Sequence, residues 1–310
     1  MRLLHLGPVL LLGWTALTAG EAQVPELSLE GRAELYRPGH VSTAATEIRI
    51  TFSPDGRRML WGVIRGKADP AGWEILESIR TPDGWSTPAP VSFDTPANEF
   101  DPAFAPDGSG VYFFSNRPGG FGGDDIYFAP LDQTSGHYGA AINLGPAVNS
   151  PGDEWALCPS PDGQRLLFAS NGRGGQGRHD LFIAARGPDG KWQPAQPVKE
   201  LNSAEEDFDA TFLHDGRSVV FSRGNLEGRV ALYFAPWTGT HYGTCSALGE
   251  AVNTPGEAFM NGPSIAAGEP GWLYFSTYRP DGAGRMDIYR IRYRLAPPVT
   301  SAATGGAARR

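Results

Sequence analysis

Short apolar segments, separated by turn-forming residues, follow one another along almost the whole chain. In VYFFS (111–115) and DIYFAP (125–130) β-branched and aromatic residues dominate, and Gly, Pro, Asn and Asp interrupt the segments. This spacing is typical of strands and turns, and helical periodicity is almost absent. The pattern therefore predicts an all-β protein made of short antiparallel strands.

The pattern repeats at an interval of about 53 residues. An Asp-Gly turn ends at Gly56, Gly108, Gly163 and Gly216, so the steps are 52, 55 and 53 residues. A glycine-rich connection between two apolar segments returns at the same interval, most clearly in FFSNRPGGFGGDDIYFAP (113–130), and the chain holds five copies. Four strands in about 50 residues describe one blade of a propeller.

The repeat predicts a five-bladed β-propeller of four-stranded antiparallel blades over residues 32–294, with six blades as the alternative. The fifth copy lacks an outer strand, and RAELYRPGHVST (32–43) resembles the outer-strand segments of other copies. We therefore expect an N-terminal strand to close the last blade and remove the open sheet edges. Residues 295–310 are predicted to be a disordered tail. The predicted blades begin near Glu47, Glu99, Glu154, Asp207 and Glu257.

Residues 1–22 have the pattern of a secretory signal peptide. A basic Arg2 precedes an apolar run, and small residues follow with cleavage predicted after Ala19 or Ala22. The apolar run is too short to span a bilayer, and no later segment reaches the roughly 20 residues that a membrane helix needs. The sequence predicts a periplasmic or secreted protein with no membrane span after signal removal.

The charge of the chain narrows the classes of partner. The formal net charge is −8, with acidic and basic residues interleaved. This balance argues against nucleic acid as a partner. No motif for a cofactor or a metal ion stands out, so we expect neither, and we expect a monomer that binds a protein, a peptide or a glycan.

Several recurring motifs resemble those of a known family. VNSPGDE (148–154), SPDG (53–56), YFFSNRPGG (112–120) and LGPAVNS (144–150) resemble the TolB-like, WD-repeat-like β-propeller repeats of bacterial envelope proteins. The resemblance covers roughly residues 46–291. It implies an exported module that uses its surface for protein association, although propellers host both binding and catalysis.

Four acidic residues open the innermost strands at equivalent positions and should circle one mouth of the central channel. They are Glu47, Glu99, Glu154 and Asp207. Such a ring has two possible uses. It can bind a cation or a basic group, or each carboxylate can accept backbone N–H bonds and join one blade to the next.

Two residues farther along each innermost strand, the residue type differs between the copies. A single blade could therefore carry a chemical role of its own at this position. Arg49, Asp101 and Asp209 occupy this position in blades 1, 2 and 4. With Glu99 and Glu154, the two aspartates could supply the pair of carboxylates that a glycosidase requires. A glycoside hydrolase is therefore the alternative to our main prediction, which is a non-enzymatic binding or scaffold module without catalytic residues.

The connection between the second and third strands supplies the remaining candidates for binding. Arg117 and Arg173 recur there, and we predict that they pair with the recurring Asp125 and Asp180 and brace the two strands. Phe121 and Asp124 are not repeated in other copies. If this connection has a role beyond the scaffold, Phe121 and Asp124 are the residues that should carry it.

Overall fold

The computed structural model of the protein describes residues 24–65, 72–256 and 259–296. Within these ranges the regular elements are β-strands in five antiparallel sheets. The strands are β1 (Glu26–Leu35), β2 (Thr46–Phe52), β3 (Arg58–Ile64), β4 (Trp73–Thr81), β5 (Gly84–Trp85), β6 (Ala89–Pro90), β7 (Glu99–Phe104), β8 (Gly110–Ser115), β9 (Asp125–Pro130), β10 (Ile142–Asn143), β11 (Glu154–Pro159), β12 (Arg165–Ser170), β13 (Asp180–Ala185), β14 (Gln196–Pro197), β15 (Glu206–Phe212), β16 (Val219–Gly224), β17 (Val230–Ala235), β18 (Ser246–Ala247), β19 (Met260–Ile265), β20 (Trp272–Thr277) and β21 (Asp287–Ala296).

Each sheet is one blade of a propeller. Blade 1 contains β2–β6, blade 2 β7–β10, blade 3 β11–β14, blade 4 β15–β18, and blade 5 β19–β21 together with β1. The innermost strands β2, β7, β11, β15 and β19 contact one another in cyclic order around a central channel. The prediction of a five-bladed β-propeller is confirmed.

The N-terminal strand closes blade 5, as predicted. β1 pairs with β21, with Glu26 opposite Ala296 and Leu35 opposite Tyr289. The closing strand starts before residue 32 because β21 is itself long and offers an extended edge. Leu295 and Ala296 belong to β21, so the prediction of a disordered tail is wrong for these two residues. The rest of the predicted tail, the predicted signal peptide and Glu257 lie outside the described residues.

The hydrophobic core is divided among the seams between neighbouring blades. Between blades 1 and 2, for example, Leu60, Ile75, Phe104, Val111 and Phe113 pack together, and each of the other four seams has its own apolar cluster. Each large side chain of this kind stabilises a fold by roughly 1.5–3 kcal/mol when buried. Because every cluster needs two blades, stability depends on the closed ring.

The ring has two different faces. The repeated Asp-Gly turns join the first and second strands, and in blade 1 Asp55 Oδ1 accepts the Arg57 N–H at 3.0 Å while Gly56 has φ +67°. This side is called the turn face below. The connections between the second and third strands, and those between blades, lie at the opposite ends of the strands. We call that side the loop face.

Every inner strand contains a β-bulge at the same position. The pairing register shifts there in all five blades, and the residue at the bulge has a left-handed backbone. The residues are Arg49, Asp101, Ala156 and Asp209, with φ between 48° and 50°, and Gly262 with φ 57°. They form one belt around the middle of the channel, which we call the channel belt.

Candidate functional site

The four acidic residues that open the inner strands are buried and already have partners. Each carboxylate accepts a backbone N–H and a hydroxyl from the residue four positions earlier, in the connection from the preceding blade. The carboxylate residues are Glu47, Glu99, Glu154 and Asp207, and their donors are Thr43, Thr95, Ser150 and Ser203. This is the arrangement in which the carboxylates join one blade to the next.

Burial raises the pKa of three of these carboxylates, Glu47, Glu154 and Asp207. The pKa of Glu47 is raised to about 7, mainly by burial and to a smaller extent by the nearby Asp287, while the hydrogen bonds from Thr43 oppose the shift. Burial likewise raises the pKa of Glu154 and of Asp207, against the hydrogen bonds that each accepts. The scaffold therefore holds these carboxyl groups in place, and the hydrogen bonds from the neighbouring connections limit the rise in their pKa values.

The recurring arginines do not pair with the aspartates of the third strand, so that prediction is wrong. Arg117 instead contacts Glu99 at 2.8 Å, and Arg173 donates to the Val148 carbonyl at 2.6 Å. Asp125 accepts the Phe121 N–H and the Asn143 amide. The aspartate carboxylate accepts a backbone N–H of its own connection, so Arg117 reaches the inner strand and Arg173 reaches the connection between blades.

Arg49 of the channel belt crosses the channel. Its Nη2 donates to the Leu157 carbonyl of blade 3 at 2.9 Å and to the Ala210 carbonyl of blade 4 at 3.1 Å, and the side chain is buried. A blade 1 side chain therefore bonds to two blades on the other side of the ring. Arg49 acts as a brace in the middle of the channel.

Asp101 and Asp209 of the channel belt form a buried, interacting pair of carboxyl groups. Asp209 Oδ2 accepts the Gly262 N–H at 2.8 Å, whereas Asp101 Oδ1 has no hydrogen-bond partner. Burial raises the pKa of both groups, the charge of Asp209 raises that of Asp101 further, and Arg49 lowers both. The pair therefore retains a proton to higher pH than two exposed aspartates would.

A polar and aromatic cluster lies on the loop face around blade 3. Asp124 Oδ2 accepts the Trp155 Nε1–H at 2.8 Å, and the Trp155 ring stacks on His179 with centroids 4.0 Å apart. His179 Nδ1 lies 2.7 Å from Glu206, whose second oxygen lies 3.6 Å from Arg178. Burial raises the pKa of Asp124, and the Trp155 N–H opposes the shift. Asp124, Trp155, His179 and Glu206 are called the Trp155 cluster below.

Sequence reasoning found one of the four residues in the Trp155 cluster. The residue just before the position of Asp125 is different in every blade, being Trp73, Asp124, His179, Val230 and Met286. The argument that selected Asp124 as a non-repeated residue applies equally to His179. Trp155 and Glu206 were missed because their hydrogen-bond partners, Asp124 and His179, lie in the preceding blades.

Phe121 lies on the loop face, in the same connection between the second and third strands as Asp124. Its side chain is 52% exposed, although its connection is held tightly because Gly123 donates to the Gly152 carbonyl at 3.0 Å. A Cβ at Gly122 would lie 2.2 Å from the Gly152 oxygen, so that position requires glycine. A fixed backbone thus presents an exposed aromatic ring.

Neither a metal centre nor a membrane helix occurs in the described residues. No three side chains of His, Cys, Asp or Glu in this part of the chain are arranged to hold a metal ion. No helix there is long and apolar enough to cross a bilayer.

The fold and the channel define the protein as a five-bladed β-propeller. No protein family and no curated protein matches the sequence. Among solved structures, it is similar to a thermostable family-43 glycoside hydrolase with a TM-score of 0.54 and 12% identity, over 85% of this chain and 97% of that one. It is also similar to putative TolB from Agrobacterium tumefaciens with a TM-score of 0.50 and 14% identity, over 82% and 91% of the two chains.

TolB from Acinetobacter baumannii aligns over 81% of this chain with a TM-score of 0.49 and 15% identity, and the chain spans 56% of that protein. Similarity at these identities shows a β-propeller fold and nothing finer about activity.

Proposed function

We propose that the protein is an exported, non-enzymatic binding or scaffold module of the bacterial envelope, and that its loop face recognises a protein, peptide or glycan. One observation carries the proposal. The loop face carries the exposed Phe121 in the same connection as Asp124, and Asp124 bonds to Trp155, which stacks on His179. A rigid surface with aromatic side chains and a few polar groups suits ligand recognition.

Two features of the sequence support the cellular setting of the proposal. The predicted signal peptide supports export, and the resemblance to TolB-like, WD-repeat-like repeats supports association in the envelope. The net charge of −8 makes nucleic acid an unfavourable partner. The propeller would act as a monomer, without a cofactor or a metal ion.

Affinity capture tests the loop face as the binding surface. The mature chain is immobilised, envelope extracts and glycan fractions are applied, and the retained ligand is measured for wild type, Phe121→Ala and Ile142→Ala. The two replaced side chains are 52% and 57% exposed, but Ile142 lies on the outer strand of blade 2. We expect loss of retention only for Phe121→Ala. Equal retention by the two variants would show that the ligand binds to another part of the protein surface.

Glycoside hydrolysis is the second candidate, because the channel holds two carboxyl groups with raised pKa values. A glycosidase needs two carboxyl groups, one as acid and one as base or nucleophile, and Asp101 and Asp209 are two buried carboxyl groups that interact with each other. Their small exposure, 5% and 4%, and the brace formed by Arg49 weigh against substrate access. These two facts place hydrolysis second.

Turnover assays separate the two candidates. Wild type, Asp101→Asn and Asp209→Asn are tested on a panel of glycans, and the melting temperature of each variant is recorded. Absence of turnover by wild type supports the binding module. Turnover that Asp101→Asn abolishes at an unchanged melting temperature would replace it with a hydrolase.

A further inference from the structure

A groove of about 770 Å³ lies on the turn face between blades 1 and 2, and we call it the inter-blade groove. Blade 1 supplies the β2–β3 turn and the end of β4 to its wall, and blade 2 supplies the β7–β8 turn and the connection after β9. Charged and polar side chains line it together with Ile79, Leu131, Pro54 and Pro82. Its volume lies within the roughly 300–1,000 Å³ of small-ligand sites.

Two arginines of blade 1 face each other at this groove. Arg58 pairs with Ile79 at the end of β3. Arg57 and Arg80 are the next opposite residues, and the Arg80 N–H donates to the Arg57 carbonyl at 2.7 Å. Both arginines are exposed, and both line the groove. Like charges directly opposite each other in an antiparallel pair are destabilising, so this pair works against the stability of blade 1.

The other blades have different residues at these two positions. The same backbone bond joins Ser109 to Leu131 in blade 2, Gln164 to Arg186 in blade 3, and Gly271 to Tyr293 in blade 5. In blade 4, Arg217 follows the turn and its guanidinium lies 5.8 Å from the centroid of the Trp237 ring. Among these positions in the described ranges, a pair of arginines occurs in blade 1 alone, so the fold itself does not require it.

The guanidinium groups of this pair have fewer partners than that of the equivalent arginine in blade 3. Arg186, at the position of Arg80, donates to the Gly190 carbonyl at 2.7 Å. In the part of the chain that the structure describes, Arg57 and Arg80 make no side-chain hydrogen bond and no ion pair, and Arg80 stacks on Trp85 at 5.3 Å. Because both guanidinium groups are exposed, a ligand can reach them.

Carboxylates from the two turns also line the inter-blade groove. Asp55 and Asp107 each use Oδ1 to accept an N–H of their own turn. Asp55 lies within electrostatic range of Arg57 without forming an ion pair with it. Arg58 also lines the groove, but Glu77 pairs with it at 2.9 Å. The groove therefore combines two available cations with two carboxylates that accept hydrogen bonds, which suits a ligand with both an acidic group and hydroxyl groups.

We propose that the inter-blade groove binds a saccharide that carries an acidic group, either a carboxylate or a sulfate. The acidic group accepts hydrogen bonds from Arg57 and Arg80 and offsets their mutual repulsion. Hydroxyl groups of the sugar donate to Asp55 and Asp107, and the apolar side of a sugar ring contacts Ile79. An acidic peptide is the less favoured ligand, because it lacks the hydroxyl groups for the two aspartates.

This site lies on the opposite face of the ring from the surface in the proposed function. The inter-blade groove and Phe121 share no residue, so failure of either proposal leaves the other standing. A glycan retained through the groove in the capture experiment would be lost in Arg57→Gln.

Calorimetric titration of the full chain at low salt tests the charge requirement. The acidic probes are digalacturonate and sulfated lactose, and the matched neutral probes are galactobiose and lactose. We expect the better acidic probe to bind with a Kd of about 1 mM or tighter, and its neutral match at least about tenfold more weakly. The tighter acidic probe assigns the acidic group to a carboxylate or to a sulfate. Equal affinities within both pairs, or no binding of either acid below about 10 mM, would overturn the proposal.

A short acidic peptide tests whether the sugar itself is recognised. An acetylated and amidated Gly-Glu-Gly peptide presents a carboxylate without sugar hydroxyl groups. We expect it to bind at least about tenfold more weakly than the better acidic saccharide, because Asp55 and Asp107 gain no hydroxyl donor. Binding as tight as that of the saccharide would contradict saccharide recognition and make the groove an acidic-peptide site.

Variants of the arginine pair locate the site. Arg57→Gln and Arg80→Gln should each weaken binding of the acidic saccharide at least about fivefold. Arg57→Gln should do so without lowering the melting temperature, because it relieves a like-charge contact. The matched control is Arg217→Gln, at the same turn position in blade 4, and it should bind as wild type does. Wild-type affinity in both Arg57→Gln and Arg80→Gln would show that the saccharide binds elsewhere, and would overturn the proposal.

Discussion

Glu47 illustrates how a repeated residue acquires its chemistry from its surroundings. Its carboxylate is 1% exposed and accepts two hydrogen bonds from Thr43. Burial raises its pKa from 4.5 to about 7. Between these pH values the folded protein holds a proton that the unfolded chain has released. The contribution of this group to the free energy of unfolding is therefore full below about pH 4.5 and is lost as the pH rises through about 7.

Replacement of Glu47 by glutamine should remove this pH dependence. We expect Glu47→Gln to gain stability relative to wild type on going from pH 4.5 to pH 8, by about 1–3 kcal/mol. Urea unfolding at the two pH values measures the gain. Glu26→Gln, at an exposed residue of β1, is the control and should show no such gain. A difference between Glu47→Gln and wild type that is the same at both pH values would contradict the assignment.

At the scale of residues, periodicity predicted where a residue lies in its strand better than which residue its side chain contacts. The period placed Glu47, Glu99, Glu154 and Asp207 at equivalent strand starts, because spacing is visible in one dimension. The contact of Arg117 with Glu99 instead of Asp125 depends on where a long side chain turns in space. The reach of Arg49 to blades 3 and 4 depends on ring closure, which no local pattern encodes.

The closing strand β1 has two chemically different sides. Leu27 and Leu29 are half-buried and pack on the cluster between blades 4 and 5, while the alternating Ser28 and Glu30 are exposed. The strand also pairs with β21 from Tyr289 to Ala296. Loss of the leucine contacts should therefore free the edge of β21.

Leu29→Asp tests this role, because it places a charge against the apolar cluster. We expect a loss of at least about 2 kcal/mol in the free energy of unfolding, together with self-association through the β21 edge. Thermal unfolding and size-exclusion chromatography at several protein concentrations measure the two effects. Ser28→Asp, on the exposed side, should stay within about 0.5 kcal/mol of wild type. Equal behaviour of the two variants would mean that β1 does not secure blade 5.

At the scale of elements, the repeat predicted the strands well and their ends poorly. Each copy contains the same turn and the same apolar segments, so the number of copies gives the number of blades. The fifth copy lacks an outer strand, which predicts closure by an N-terminal strand. The end of β21 was missed because RLAPP reads as the start of a proline-rich tail. Pairing with β1 overrides that local preference as far as Ala296.

We expect the stability of the ring to depend on the balance between one positive and two acidic side chains in the channel belt. Arg49 bonds to carbonyls of blades 3 and 4 and offsets Asp101 and Asp209. Removal of the guanidinium leaves two carbonyls without this donor and two buried acids without their cation. The effect should reach several blades at once.

Arg49→Leu should lower the free energy of unfolding by about 3–5 kcal/mol, as for other broken buried charge pairs. The triple variant Arg49→Leu, Asp101→Asn, Asp209→Asn should recover part of the loss because the uncompensated acids are gone. Denaturant unfolding of Arg49→Leu, of the double variant Asp101→Asn, Asp209→Asn and of the triple variant measures the interaction free energy between the arginine and the two acids. If the triple variant were no more stable than Arg49→Leu, the electrostatic account of the channel belt would be wrong.

Because β1 pairs with β21, their outer ends lie on the same side of the ring, and an attachment at either end starts from that side. Glu26 and Ala296 lie opposite each other at the end of blade 5 that belongs to the turn face. A tether or fusion made through either end would therefore leave from that side and hold the loop face away from its support. An immobilised propeller would then present Phe121 and the Trp155 cluster outward, whichever end carried the attachment.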